Sequence, residues 1–424
     1  MNKKIDDAFI TARKYFIDIE ISEDDFKKKT IQECMHMFSR EAEDYRSMHE
    51  FYSLESLLMM ALLAKTCWKC ESFLEMARWL HLKRKWLKKI GIIKGDRTPS
   101  HDTIRRLFIL FSFEKISKAI FEAIDKLYEN VRKKAKSAKS DTVKLVIADG
   151  KEIRGSGRKD NTENPHKNLG TLNIYDVSSR QCFMSIGIDK KESEIGVLQK
   201  ALRTMNLRRK CISCDALHTQ VETAKIIIEG HGEYVLPVKS NQASLEEEIT
   251  ARFNDKGKGI GVYKTFERDK RSFEAITLNN RYIGYEFPGQ RTYIKMHSTT
   301  HGKNSECNML FVSSVKDPEL AIDVIEKRWM LEQFHYDKDN LLYEDYGRSE
   351  NKAIVTNMAI LNSIIIAFYK VVMSIMGFKS PSDARVFLGV EPEESFSLVF
   401  SAMDERSLST AIRRCIKRKD LSMN

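Results

Sequence analysis

The 424-residue chain has little of several features that define specialised protein classes. It contains only 7 prolines, 19 glycines and 8 cysteines, which argues against collagen-like chains, proline-rich disordered chains and disulfide-based secreted scaffolds. The first thirty residues carry charge throughout and lack an apolar signal core, so we expect no secretion signal. The most apolar stretch, residues 353–376, is interrupted by polar residues, which favours a buried helix over a membrane span. These absences predict a protein without membrane partners, in a reducing cytoplasm, with free thiols.

The composition that remains is that of a globular protein with a positive excess. Lys and Arg total 71 against 60 Asp and Glu, giving a formal net charge of +11 and a sequence pI near 9.0. Hydrophobic residues make up 42% and charged residues 31%, so the chain can bury a core in each of two or three domains. The charge makes a polyanion the first partner to consider.

The basic residues are concentrated in four clusters along the chain. A single charged run is usually a solvated face, but four clusters in a protein of this net charge favour contacts to phosphates. The clusters are Lys83, Arg84, Lys85, Lys88 and Lys89 around Trp86, then Arg132, Lys133, Lys134, Lys136 and Lys139, then Arg208, Arg209 and Lys210, and finally Arg413, Arg414, Lys417, Arg418 and Lys419.

The hydrophobic pattern changes from helical to mixed near residue 143. Apolar residues at three- and four-residue spacing predict helices before that point, whereas short β-branched runs alternating with helical patterns predict an α/β domain with a mixed sheet after it. The predicted organisation is a helical N-terminal DNA-binding domain at 1–132, a basic linker at 133–142, the first part of a catalytic domain at 143–254, a strand-rich insertion at 255–316, the last part of the catalytic domain at 317–376 and a basic C-terminal tail at 377–424.

Two predicted strands end in an acidic residue. The run VIADGK at 146–151 places Asp149 after a buried strand, and CISCDALHTQ at 211–220 does the same for Asp215. If the two strands are neighbours, their carboxylates converge at one sheet edge, where like charges are costly unless they share protons or metal ions. Oxygen ligands suit Mg²⁺ or Mn²⁺. The alternative is that either acid caps the helix that follows it.

Five sequence blocks in the α/β part occur in an order that resembles a known family, the ISAs-type (H-repeat-associated) bacterial insertion-sequence transposases. Two further blocks in the helical part are similar to that family's associated helical domain, so that the resemblance covers about residues 40–365. They are ADGKEIRGSG (148–157), KKESEI (190–195), DALHTQVETA (215–224), EYVLPVKSNQ (233–242), RWMLEQFHYDKDNLLYEDYGR (328–348), YRSMHEFYSLESLLMMALLA (45–64) and TPSHDTIRRLF (98–108).

This resemblance implies a fold, a reaction and a set of site residues. The implied fold is a ribonuclease-H-like α/β domain whose Asp149, Asp215 and Glu332 hold two ions of Mg²⁺ or Mn²⁺. Two such ions about 4 Å apart would serve hydrolysis of DNA by water and joining, in which the freed 3′-hydroxyl attacks a target phosphate and displaces its 3′-oxygen. The implied partners are double-stranded DNA, as the terminal inverted repeats of the element and as its target, and a second copy of the chain on that DNA. The implied location is the bacterial cytoplasm, on the nucleoid when DNA is bound.

Several cations are candidates for DNA contacts around these acids and in the helical part. Those near the acids could stabilise charge on the scissile phosphates, although a solvated surface charge is an equal alternative for each of them. In the helical part, Thr98-Pro99-Ser100 precedes a predicted helix that would be either the reading helix of a helix-turn-helix or a member of a packed bundle. The candidates are Lys151, Arg154, Lys239 and Arg328 near the acids, and Lys83, Arg84, Lys85, Arg105 and Arg106 in the helical part.

The third acid can also be chosen from helical periodicity. On a single helix from Pro318 to Tyr336, Glu332 would share a stripe with Ile322, Ile325 and Trp329, and this apolar stripe should face the sheet. A carboxylate there needs a cation, so Glu332 is predicted as a ligand in preference to three other glutamates of the region. A structural salt bridge to Arg328 is the alternative. The glutamates weighed against it are Glu326, Glu344 and Glu350.

Other motifs carry less weight. The pairs CWKC (67–70) and CISC (211–214) could suggest zinc, but they lie in a helical pattern and in a buried strand, so packing thiols are the better interpretation. His218 and Gln220 follow Asp215 closely and would either border the site or face the core. Of three possible functions, an active transposase is favoured over a domesticated DNA-binding relative, which would be expected to have lost an acid; a nuclease without strand transfer would use the same acids and stays open.

Overall fold

The computed structural model describes residues 51–68, 70–134, 143–157, 168–189, 193–268, 271–279, 287–299 and 306–390. Several features predicted from the sequence lie outside the described side chains and segments. They are parts of the predicted linker and of the block at 190–195, the two basic clusters at 132–139 and 413–419, and most of the predicted C-terminal tail.

Before residue 135, every regular element in the described part of the chain is an α-helix. These helices are α1 (Leu54–Trp68), α2 (Phe73–Leu82), α3 (Arg84–Lys89), α4 (His101–Leu110) and α5 (Glu114–Lys134). The Ser100 hydroxyl accepts a hydrogen bond from the Thr103 amide, so Ser100 is the N-cap of α4, as serine before a first turn favours. A short helix, α3, stands between α2 and α4, so these two helices are not joined by the tight turn of a simple helix-turn-helix.

A mixed α/β unit follows, as the sequence pattern predicts. Its strands are β1 (Lys144–Glu152), β2 (Gly170–Asp176), β3 (Gln181–Ile188), β4 (Lys210–Cys214), β5 (Glu233–Val238), β6 (Gly261–Arg268), β7 (Arg271–Leu278), β8 (Thr292–Thr299) and β9 (Glu306–Ser313). Its helices are α6 (Glu194–Thr204), α7 (Val221–Glu229), α8 (Ala243–Asn254), α9 (Pro318–Lys327), α10 (Trp329–Leu342), α11 (Lys352–Met376) and α12 (Pro381–Val390).

All nine described strands form one sheet, in the order β3-β2-β1-β4-β5-β9-β8-β7-β6. Strand β1 pairs antiparallel with β2 and parallel with β4, and β4 pairs parallel with β5. The strands predicted as an insertion, β6 to β9, are antiparallel and join the sheet where β9 pairs with β5. The insertion therefore continues the sheet of the predicted catalytic unit.

Strand β1 is longer than the sequence predicts. The apolar run ends at Ala148, but the strand continues to Glu152 because its polar end pairs with β2 up to Gly170. The parallel ladder with β4 stops earlier, at the pair of Ala148 and Cys214. The sheet therefore opens on one side of β1 immediately after Ala148.

Helices cover both faces of the sheet. Alternation along β1 directs Val146 and Ala148 into one core with α6, α7 and α8, and Leu145 and Ile147 into a second core with α9, α10 and α11, as side chains of successive strand residues point to opposite faces. The second core also includes buried residues of α1, α2 and α4.

The predicted single helix over 318–336 is wrong, because the chain forms two helices that meet at Arg328. The Arg328 amide bonds to the Ile325 carbonyl at 3.3 Å, and the Leu331 amide bonds to the Arg328 carbonyl at 3.2 Å. Both are contacts to the third preceding residue, the tighter turn of a 3₁₀-helix, so the faces of α9 and α10 are out of phase.

Helix α11 is the apolar helix expected at 353–376. It is long and apolar enough to cross a membrane by length and composition, and 89% of its most apolar window is buried inside the protein. That burial is typical of a core helix. Helix α12, within the segment predicted as a basic tail, buries Ala384 and Leu388 in the same core.

Candidate active site

Asp149 and Asp215 are neighbours at the point where the sheet opens. Each directly follows the last pair of the parallel ladder between β1 and β4, Ala148 and Cys214. Because Asp149 alternates with Ala148 and Asp215 with Cys214, both carboxylates belong to the face that α9, α10 and α11 cover. The structure therefore brings together the two acids that the sequence places after separate strands.

The pKa of Asp149 is raised to about 6. Burial is the largest cause, and the nearby carboxylates of Asp215 and Glu194 add to it, while Arg328 and His218 act in the opposite direction. Burial and like charges both disfavour the ionised form. Asp149 thus carries a negative charge that its surroundings only partly compensate, which is what a site for a cation requires.

Arg328 is the cation that the chain itself supplies at these acids. Its Nη2 lies 3.9 Å from the Asp215 Oδ1, and its side chain is mostly buried at the junction of α9 and α10. The Arg328 Nε is buried without a hydrogen-bond partner among the described residues. Arg328 is therefore an ion-pair partner of a candidate ligand in this structure.

The expected position of Glu332 against the sheet is wrong. Ile322 and Ile325 of the predicted stripe are buried, but Trp329 is 49% and Tyr336 61% exposed, and Glu332 between them is exposed as well. The 3₁₀ contacts at Arg328 rotate α10, so that its buried face is made by other residues. Those residues are Leu331, Phe334, Asp337, Lys338, Leu341 and Leu342. The stripe exists, but its second half faces solvent.

The predicted acids do not form a complete metal site as their side chains stand. No three His, Cys, Asp or Glu side chains in the described ranges lie close enough to hold a metal ion. Asp149 and Asp215 fit a divalent cation in their chemistry, since both offer carboxylate oxygens and together they create excess negative charge. The glutamates weighed against Glu332 lie elsewhere: Glu326 is half-buried on α9, and Glu344 is bound to Lys338 at 2.7 Å.

Lys151 has protein partners where a phosphate contact was predicted. Its Nζ lies 2.7 Å from Asp339 Oδ1 and 3.0 Å from Asp345 Oδ1, and the Lys151 side chain is buried. Burial lowers the pKa of Lys151, but its bonds to the two aspartates outweigh this and raise it. Lys151 therefore fastens α10 and the following segment to β1.

The remaining predicted cations of the α/β unit are accessible. Arg154 is exposed and lies 3.8 Å from Asp345 through its Nε. Lys239 is exposed immediately after β5, whose parallel neighbour β4 ends at Asp215. Both side chains border the open edge of the sheet.

Glu194 is a site residue that sequence reasoning missed. It is the first residue of α6, and its Oε1 lies 2.7 Å from the Nε2 of the fully buried His218. A Cβ on Gly150 would lie 2.3 Å from the Glu194 carboxylate carbon, so the absence of a side chain at 150 makes room for this carboxylate beside Asp149. The block KKESEI contained this glutamate, but nothing in its spacing tied it to β1. His218 faces the core, and Gln220 bonds to the Leu217 carbonyl at 3.1 Å.

The basic residues predicted in the helical part lie mainly at the surface. Lys83 and Lys85 are exposed, whereas Arg84 is half-buried and donates to the His81 carbonyl at 2.9 Å. Arg105 and Arg106 are both exposed on α4.

Of the two cysteine pairs, Cys70, Cys211 and Cys214 are buried and Cys67 is partly buried. Cys211 and Cys214 belong to the two opposite cores of the sheet. Burial raises the pKa of Cys70 and of Cys214 to about 12. Thiols in this state pack as apolar groups.

Comparison with known proteins gives matches in both parts of the chain. The family model described as DDE_Tnp_1-associated matches residues 36–123. An "Uncharacterized protein in dhlA 3'region" of Xanthobacter autotrophicus is 28% identical over 203 residues, which is 47% of this chain and 63% of that protein. The "H repeat-associated putative transposase YhhI" of Escherichia coli (strain K12) is 25% identical over 171 residues, 40% of this chain and 41% of that protein. The chain thus spans less than two thirds of the length of these relatives.

Among solved structures, the cryo-EM structure of the piggyBac transposase synaptic complex with hairpin DNA aligns with 92% of this chain and 83% of that chain, with 11% identity and a TM-score of 0.40. The sequence comparisons confirm the resemblance to H-repeat-associated insertion-sequence transposases.

Proposed function

We propose that the protein is a DNA transposase with a ribonuclease-H-like catalytic domain. It would bind the terminal inverted repeats of its insertion sequence, cleave there and join the freed ends to target DNA, as a dimer on the two ends. The observation that carries the proposal is the pairing of Asp149 with Asp215 at the end of a parallel ladder, where the pKa of Asp149 is raised to about 6. The strand order β3-β2-β1-β4-β5 supports it, since ligands bind where the strand order of such sheets reverses.

Asp149, Asp215 and Glu332 would hold the divalent cations, Mg²⁺ or Mn²⁺. When bound, such ions supply a polarised attacking oxygen and stabilise the leaving oxygen of an in-line displacement at phosphorus. Glu332 is exposed, so in this proposal its side chain would turn toward the two aspartates when a cation binds. The kink at Arg328 keeps Glu332 out of the core, which this role requires.

The cations around the acids would orient the DNA. Arg328 lies 3.9 Å from Asp215 and would move to a DNA phosphate when a metal ion takes over the carboxylate. Arg154 and Lys239 are exposed beside the opening and would contact the strand on either side of the scissile bond. Charged contacts of this kind position a strand without reading its sequence.

The helical part would supply the grip on the terminal repeat. The exposed Lys83, Lys85, Arg105 and Arg106 are suited to phosphate contacts, each releasing about one counterion on binding. The relatives that match this chain support DNA as its partner, since one of them is named an H repeat-associated putative transposase.

The test is an oligonucleotide assay with the full chain and duplexes that carry the ends of the element. In Mg²⁺ we expect cleavage and joining from the wild type, neither from Asp149→Asn, and both from the control Asp323→Asn on α9. End binding, measured in EDTA, should persist in all three proteins. Cleavage without joining would identify a nuclease, binding without cleavage by the wild type a domesticated DNA-binding protein, and full activity of Asp149→Asn would refute the proposed site.

A further inference from the structure

A cavity of about 920 Å³ lies beside the candidate active site. It is bounded by the helical part on one side, through Phe73 and Arg105, and by the segment after α10 and the face of α11 on the other. Ile153, four residues after Asp149, lines it, so this part of the cavity wall lies roughly 13 Å from Asp149 along the extended chain.

The floor of the cavity contains hydrogen-bond acceptors that lack donors. The Glu344 Oε1 accepts a hydrogen bond from the Asn362 side-chain amide at 3.2 Å and lies 2.7 Å from the Lys338 Nζ. The Glu344 Oε2, the Asn362 Oδ1 and the Lys338 Nζ are buried without a hydrogen-bond partner among the described residues, and Glu344 and Asn362 line the cavity. Unpaired buried polar groups are costly, so this floor would gain from a ligand that brings an N–H donor to the two acceptors and an acceptor to the Lys338 ammonium.

The rim has aromatic rings and guanidinium groups. Tyr343 and Tyr346 stand at right angles with their ring centroids 5.6 Å apart, and Tyr346 is 67% exposed. Arg105 and Arg348 are exposed at the same rim. An exposed tyrosine beside arginines is the arrangement by which proteins stack single bases and hold their phosphates.

Acidic groups on the rim restrict where a phosphate could lie. Glu71 and Glu350 line the cavity together with Lys65, whose Nζ donates to the carbonyls of Cys70 and Leu342. An anion would therefore be drawn to the arginines rather than to these carboxylates.

We propose that this cavity holds one unstacked nucleotide of a DNA strand, with a base that carries an exocyclic amino group. The amino group would donate to Glu344 and Asn362, the ring would stack on Tyr346, and the phosphate would contact Arg105 and Arg348. Glutamate accepts well from the amino group of cytosine, whereas thymine has no such group. The inference rests on the proposed function, because it takes DNA as the ligand.

The experiment compares 12-nucleotide oligo(dC) with oligo(dT) as probes for the full chain, at fixed salt and in EDTA. Both are single-stranded pyrimidine probes, but where cytosine has a 4-amino group and an unprotonated N3, thymine has a 4-oxo group and an N3–H, and thymine also carries a 5-methyl group. We expect several-fold tighter binding of oligo(dC), and a loss of about tenfold with loss of the preference in Tyr346→Ala, since one stacked base is worth a factor of this order. The control is Tyr336→Ala, which removes a similarly exposed tyrosine of α10 that does not line the cavity and should keep the preference.

Circular dichroism checks that each variant is folded. Equal affinity of the wild type for the two probes, or an unchanged preference in Tyr346→Ala, would overturn the cavity assignment. If cleavage of the element's ends persists in that case, the proposed function stands alone. A preference for oligo(dC) in a protein that never cleaves would support the cavity and refute the proposed function.

Discussion

At the scale of single residues, the environment of a charge decides what its side chain can do. Asp149 is held near Asp215 and Glu194, which with burial raises its pKa to about 6, whereas Glu332 is exposed. Burial of a charged group costs free energy unless a partner compensates it. The two candidate ligands therefore differ in how much stability their substitution should change.

Glu332→Gln should remove Mg²⁺-dependent cleavage and leave the free energy of unfolding within about 0.5 kcal/mol of the wild type, because substitutions of exposed residues away from special contacts cost little. Urea unfolding and the oligonucleotide assay measure the two effects. Glu247→Gln, at another exposed glutamate on α8, is the matched control and should change neither. An active Glu332→Gln protein would show that a different acid completes the site.

Protonation of His335 should be unfavourable in the folded protein and should therefore lower the free energy of unfolding in mild acid. Burial is the main cause that lowers its pKa to about 3, with Lys338 and Lys151 contributing, so between the ordinary value near 6.5 and 3 only the unfolded chain takes up this proton. Stability contributed by the neutral ring is thus present above pH 6.5 and is lost as pH falls, by up to about 2 kcal/mol at pH 5.

Urea unfolding in EDTA at pH 7 and pH 5 measures this loss. In His335→Gln the difference between the two pH values should shrink by about that amount. The same pH dependence in wild type and variant would assign the acid sensitivity to other groups.

At the scale of secondary-structure elements, Lys151 connects the strand of the first acid to the helix of the third. Asp339 follows Glu332 by seven residues, two helical turns, so the two lie on nearly the same face of α10. Lys151 follows Asp149 by two residues, on the same face of β1. The contact of 2.7 Å between Lys151 and Asp339 therefore sets how α10 lies over β1.

Lys151→Met should lower the free energy of unfolding by about 3 kcal/mol, because it leaves Asp339 and Asp345 without their buried partner. Lys151→Arg should recover most of this loss and part of the cleavage activity. Lys225→Met, which removes an exposed helical ion pair with Glu229, should cost less than about 1 kcal/mol. A Lys151→Met protein as stable as the control would show that the contact does not hold the two elements together.

The sequence was sufficient for elements defined by their own apolar pattern. Strand β4 ends at Cys214, directly before Asp215, as the block at 211–220 predicts. The sequence was insufficient where a distant partner decides the outcome. The polar end of β1 is a strand because β2 pairs with it, and Lys151 binds aspartates 188 and 194 residues away.

The prediction of which face of α10 is buried failed for a related reason. Helical periodicity assumes a straight helix, and the 3₁₀ contacts at Arg328 break that assumption. The position of Glu194 could not be read from its block either, since only the fold brings Gly150 beneath it.

At the scale of the whole molecule, the helical part and the sheet share one core. Buried residues of α1, α2 and α4 belong to the same cluster as those of α9, α10 and α11. Asn357 of α11 strengthens this connection, because its side chain donates to the carbonyls of Phe108 and Phe111 and accepts from the amide of Phe113. The loop between α4 and α5 is thereby bound to the central helix.

We expect one unfolding transition in calorimetry, because the two parts cannot separate without exposing the shared core. Asn357→Leu should lower the free energy of unfolding by about 3 kcal/mol, since it removes three buried hydrogen bonds to the backbone. Asn340→Leu, at an exposed asparagine of α10 that bonds to the Tyr336 carbonyl, should cost far less. Two separate transitions in the wild type would show that the parts fold independently.

The unbroken sheet has a mechanical consequence. Strand β6 lies five strand positions from β4, a distance of about 24 Å at the usual spacing, and a ladder of backbone hydrogen bonds connects the two through β5, β9, β8 and β7. A force on the hairpin of β6 and β7 would therefore be transmitted along this ladder to β4, whose last residue directly precedes Asp215. The position of Asp215 is thus coupled through backbone hydrogen bonds to the far edge of the sheet.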